Sequence, residues 1–119
     1  MVHNPKKPET YLSVIFYKRD SGNEPVREWL LGLTKTEKKI IGEDIKTVQF
    51  GWPIGMPLMR NLGKGLWEIR SSLKDKISRV FVAIYEDNIV LLHAIIKKTG
   101  RTPTQDLALA RKRLAKFKK

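Results

Sequence analysis

The sequence predicts an α+β fold: one domain with a twisted antiparallel sheet, in the order β-α-α-β-β-β-α. Three observations carry this reading. A short aromatic and β-branched segment near the start is followed by two stretches with helical spacing. Three strand-length segments then run from Leu66 to Lys97, separated by turn residues. A last stretch after Thr102 returns to helical spacing. Helices and strands grouped in runs, rather than strictly alternating, are the mark of the α+β class.

Each element has its own local reason. Residues 1–9 are polar and carry two prolines, so they read as a loose arm. Tyr11–Tyr17 (YLSVIFY) is a strand, and Asp20-Ser21-Gly22-Asn23 a turn. In EPVREWLLGL, Val26, Trp29, Leu30 and Leu33 recur at i, i+3, i+4 and i+7, one face of a short helix with Pro25 in its first turn. Thr34 and Glu37 have capping-box spacing for a second helix over about 34–50, with Ile41, Ile45 and Val48 inward. Residues 51–65 (GWPIGMPLMRNLGKG) read as a loop anchored by Trp52, Met56, Leu58 and Leu62. Leu66–Ser71, Ile77–Glu86 and Ile89–Lys97 form an antiparallel meander, with Asp87-Asn88 as its tight turn. Thr102, Pro103 and Gln105 fit the N-cap, N1 and N3 positions of the last helix. Its apolar stripe is Leu107, Ala110, Leu114 and Phe117; Arg111, Lys112, Arg113, Lys116, Lys118 and Lys119 fill its polar side.

Charge narrows the function. The 119 residues carry a formal net charge of +12, unevenly distributed. Residues 1–60 hold 10 basic and 7 acidic side chains, residues 61–119 hold 14 and 5. A basic half-domain favours a polyanion, nucleic acid above all. The chain has no cysteine, which excludes disulfides, thiol catalysis and thiolate metal sites. No apolar run approaches the roughly 20 residues of a membrane span, and the N-terminal segment has no apolar signal region. These features together fit a cytoplasmic protein.

Motif chemistry is mostly exclusion. There is no HExxH, only two histidines, and no cluster of acids with metal-ligand spacing. Gly63-Lys64-Gly65 lacks P-loop spacing. The expectation is therefore no metal and no cofactor. Strand alternation then sorts the remaining side chains. Glu68 and Arg70 share one face of LWEIRS and are within reach of each other, an arrangement that a surface ion pair also explains. Arg79 shares a strand face with Phe81, Ala83 and Tyr85. A cation there is either a partnered structural arginine or an anion binder. In LLHAIIKKTGRTP, alternation puts His93 and Lys97 on one face and Lys98 on the other, and Lys97 is favoured as the one on the site. A lone histidine between apolar neighbours is more often a satisfied core residue than a catalyst. Arg70, Arg79, Lys97 and Lys98 suit a ribonuclease without a metal. RNA supplies its own 2′-OH nucleophile, and the protein must steady phosphate charge and move two protons. Glu68 and His93 are the other proton carriers.

The stretch LWEIRSSLKDKISRVFVAIYEDNIVLLHAIIKKTGRTPTQDLALARKRLAKF resembles the RelE superfamily of toxins, in its phage-derived HigB-like branch. The LWEIR strand, the R-V-F-x-x-x-Y strand, the LLHAIIKKT strand and the TP-headed helix with DLALAR carry the resemblance, and FYKRDSGNEPVREWL upstream fits it too. It implies a RelE-like fold and a ribosome-dependent mRNA endonuclease that needs no metal. It implies that Arg70 and Arg79 handle the scissile phosphate with Lys97 or Lys98, that Glu68 holds Arg70, and that His93 takes part. Tyr85 would stack on a base or pack, and Arg101, Arg111 and Lys112 would contact RNA. The implied partners are mRNA, the ribosome and an antitoxin of helix-turn-helix type, with no membrane. Two other readings use the same residues: a ParE-like gyrase poison, and an RNA- or ribosome-binding protein without catalysis.

Overall fold

A computed structural model of the protein describes residues 11–98 and 101–119. The expected arm, residues 1–9, lies outside the described residues, as do Thr99 and Gly100. The elements are β1 (Ser13–Phe16), α1 (Pro25–Leu31), α2 (Lys35–Gly51), β2 (Met59–Gly63), β3 (Leu66–Leu73), β4 (Lys76–Tyr85), β5 (Asn88–Lys97) and α3 (Thr104–Phe117). They form one α+β unit around a five-stranded sheet ordered β1-β5-β4-β3-β2.

Two features depart from the sequence expectation. The expected loop over 51–65 contains β2, which pairs antiparallel with β3 through Met59↔Ile69 and Arg60↔Glu68. The segment MRNLG shows no clear alternation, because this strand lies at the sheet edge and buries only Met59 fully. Its hairpin turns through Lys64 and Gly65, both at positive φ (54° and 83°), so Gly65 serves a position that disfavours a side chain. The sheet is also mixed: β1 runs parallel to β5, from Ser13↔Asn88 to Phe16↔Leu91. The helical hairpin between β1 and the meander gives the chain the length that a parallel arrangement requires. Among the expected anchors, Trp52 meets Trp67 edge-on at 5.0 Å, and Leu58 and Leu62 pack on the core, but Met56 is 62% exposed.

Both faces of the sheet are covered. Val26, Ile41, Ile45 and Val48 of α1 and α2 pack on Ile69, Val80, Val82, Ile89 and Leu91. Ala110 and Leu114 of α3 pack on Leu66, Phe81, Ala83, Val90 and Leu92. Burial on two sides is why the central strands read as nearly continuous apolar runs rather than strict alternation. α2 begins with the expected capping box. Thr34 Oγ1 accepts from the Glu37 N–H at 3.1 Å and Glu37 Oε1 accepts from the Thr34 N–H at 3.2 Å. The last helix differs from its expected cap. Pro103 stands at the N-cap position without a side-chain cap, and Thr102 makes a different bond described below.

One irregularity matters for the site. Val82 pairs with Leu91 but Phe81 pairs with His93, so Leu92 is an extra residue in β5. Such a bulge reverses which residues face each side from that point on.

Candidate functional site

Cross-strand partners share a face, so the register assembles the site. Glu68 pairs with Phe81, and Arg70 with Arg79. Phe81 pairs with His93, Arg79 with Ile95, and Ile77 with Lys97. Glu68, Arg70, Arg79, His93 and Lys97 therefore lie on the face that α3 covers. The bulge at Leu92 is what brings His93 and Lys97 there; an unbroken β5 would have turned them toward α1 and α2. Lys98, exposed just past the strand, follows on the opposite parity.

Glu68 is the hub. It is fully buried, and its Oε2 accepts a hydrogen bond from Thr102 Oγ1 at 2.6 Å and lies 3.5 Å from Arg79 Nε. Its Oε1 is 4.0 Å from Arg70 Nε. The glutamate thus sits closer to Arg79 than to Arg70. Arg79 is 1% exposed, whereas Arg70 is half-buried and reaches an open cleft of about 570 Å³ with Asp44, Leu58, Ser72 and Ile77. A buried carboxylate and guanidinium hold each other in place, and losing either leaves a desolvated charge.

His93 forms the second pair. Its Nε2 is 2.7 Å from Asp106 Oδ1 in the first turn of α3, and its ring stacks on Phe81 with centroids 5.6 Å apart. Thr102 and Asp106, at the start of one helix, thereby contact Glu68 and His93 on two different strands.

The remaining sequence candidates are dispersed. Tyr85 packs edge-on against Phe117 at 5.5 Å, far along β4 from Arg79. Arg111 donates to the carbonyls of Leu62 at 2.6 Å and Gly63 at 3.1 Å, which ties α3 to the β2–β3 hairpin. Lys97, Arg101 and Lys112 are exposed. Arg113, expected on the polar side of α3, is instead buried: its Nη1 donates to the Leu92 carbonyl at 2.8 Å, at the bulge itself. The sequence reading missed Thr102 and Asp106 as site residues. The signal was slight, since each reads as an ordinary helix-start residue. Among the described residues, no three His, Asp or Glu side chains gather at metal-binding spacing, and no helix is long and apolar enough to cross a membrane.

The arrangement can hold an anion at Arg70 beside the fixed charge of Arg79, with the His93 imidazole and the Lys97 amine on the same face of the sheet, two strands away on β5. Neither a curated protein nor a solved structure matches the chain. A family model described as phage derived protein Gp49-like (DUF891) matches residues 28–115, from α1 through most of α3 and including all the strand residues of the site. The chain therefore belongs to the phage-derived Gp49-like family, a toxin-like family.

Proposed function

We propose that the protein is the toxin of a toxin–antitoxin pair, a ribosome-dependent mRNA endonuclease that works without metal or cofactor in the cytoplasm. The observation that supports it most is the buried Glu68–Arg79 pair with Arg70 beside it at an open cleft. A purely structural ion pair needs no second arginine facing water. In this reading Arg70 donates to the non-bridging oxygens of the scissile phosphate. Arg79 is held by Glu68 behind it and adds fixed positive charge where the transition state gains negative charge. The 2′-oxygen bonds to phosphorus as its proton passes to a base. The bond from phosphorus to the 5′-oxygen then breaks, and an acid protonates that oxygen. The products are a 2′,3′-cyclic phosphate and a 5′-hydroxyl. His93, oriented by Asp106, and Lys97 or Lys98 are the groups for these two transfers. The partner that restrains the toxin is a small antitoxin, of helix-turn-helix type, that covers the basic surface.

The test is a coupled translation reaction with mapping of mRNA 5′ ends. Codon-phased cuts that require ribosomes, lost in Arg70→Gln, are expected. Intact mRNA with stalled translation would point to a binding protein, and gyrase-linked DNA breaks to a gyrase poison; either result overturns the proposal.

A further inference from the structure

Arg19 and Arg113 line a second cavity, which shares His93 with the site described above. Among the described residues, β1 covers the outer side of β5 only from Asn88 to Leu91. Beyond that point a cavity of about 220 Å³ opens between the turn after β1, α1, β5 and α3. Arg19, Trp29, His93 and Arg113 line it, with Val26 and Leu109 as apolar walls. A water's share of liquid volume is about 30 Å³, so the cavity has room for a phosphate group.

Its charges are unbalanced. Arg113 is 7% exposed, and its guanidinium lies over the Tyr17 ring at 5.5 Å. One nitrogen, Nη1, donates to the Leu92 carbonyl, and no atom of the guanidinium is among the described residues' buried polar atoms left without a partner. The acids nearest in sequence to Arg19 are engaged elsewhere: Asp20 accepts from Lys116 and Glu24 from Arg27, each at 2.5 Å. Among the described residues neither Arg19 nor Arg113 has a carboxylate partner. Burial holds the Arg113 pKa below its ordinary value, and the like charge of Arg19 lowers it further. Two guanidinium groups line one cavity, one of them largely buried, and an anion between them would offset their mutual repulsion. The planar donor fork of arginine matches phosphate oxygens.

We propose that this cavity binds a phosphate group, with Arg19 and Arg113 donating to its oxygens and Trp29 forming a wall. Resting on the proposed function, that phosphate belongs to the RNA backbone, at the nucleotide adjoining the bond being cut, since His93 lines this cavity as well.

The experiment titrates the full-length 15N-labelled protein at physiological salt and follows the Trp29 indole N–H. One arm uses inorganic phosphate. The other uses a short 2′-O-methyl RNA, which lacks the nucleophile and stays intact. A saturable shift is expected in both arms, weakened about tenfold by Arg19→Gln, an exposed position whose change leaves the fold in place. Lys46→Gln, on the exposed side of α2, is expected to leave the shift unchanged. No saturable shift with either probe, or an Arg19→Gln titration identical to wild type, overturns the site. A shift with phosphate alone upholds the site and assigns it to free phosphate rather than RNA. Because the readout is binding, a protein that shifts at Trp29 yet cuts no mRNA upholds this site while rejecting the proposed function.

Discussion

Glu68 is buried as the shared partner of Thr102, Arg79 and Arg70, and its replacement should register in both stability and function. Glu68→Gln keeps an acceptor for Thr102 but removes the counter-charge beside a buried arginine. The expected cost is about 3 kcal/mol or more in urea unfolding, with loss of growth inhibition. A variant as stable as wild type would mean that the pair is not the hub of this site. How legible this was differs from residue to residue. Alternation alone placed Glu68 with Arg70 and set Arg79 apart as a cation on an apolar strand face. Alternation could not say which strands neighbour each other, nor that Thr102, 34 residues from Glu68, would reach it. The same applies to Asp106 and His93. Contacts between elements depend on register and helix placement, which no local pattern encodes.

At the scale of elements, α2 offers a sharper case. Its capping box was legible from four residues because both bonds lie within them. Thr34→Ala is expected to cost about 1 kcal/mol in thermal or urea unfolding. Glu37 also reaches outside its own helix: Lys76, at the β3–β4 turn, donates to its Oε2 at 2.8 Å. This hydrogen bond is the largest cause of a Glu37 pKa below the ordinary glutamate value, followed by the backbone bond from Thr34. A depressed folded pKa contributes stability that is present above the unfolded value, about 4.3. That contribution is lost as pH falls through the lower folded value. Glu37→Gln should therefore narrow the stability difference between pH 7 and pH 3, measured by denaturant unfolding at each pH. An unchanged difference would assign the acid sensitivity to other carboxylates. The elements that escaped the sequence, β2 and the parallel pairing of β1, escaped for physical reasons. An edge strand with one fully buried residue carries almost no hydrophobic pattern, and strand direction is set by the connection rather than by the strand.

For the whole molecule, the uneven charge is the property that a polyanion meets first. With a net charge of +12, affinity for single-stranded RNA should fall steeply with salt. Three phosphate contacts predict a loss of about tenfold or more between 50 and 200 mM KCl, measured by fluorescence anisotropy. A flat profile would place the RNA contacts on uncharged groups. In β5, which carries some of these charges, the order is set by a single residue. Leu92, the extra residue of β5, fixes the parity of everything after it, and Arg113 clasps its carbonyl. Straightening the bulge with every residue kept, so that Leu92 rather than His93 pairs with Phe81, would invert that parity and turn Ala94, Ile96 and Lys98 toward α3 in place of His93, Ile95 and Lys97. A lysine would still arrive, because the strand ends in two of them, but the imidazole would not. The doubled lysine makes the strand end tolerant of a one-residue register slip in charge and intolerant of it in acid–base chemistry. Removing Leu92 would instead leave His93 and Lys97 facing α3, so attraction for a polyanion and whatever work the histidine performs part company only when β5 slips with Leu92 retained.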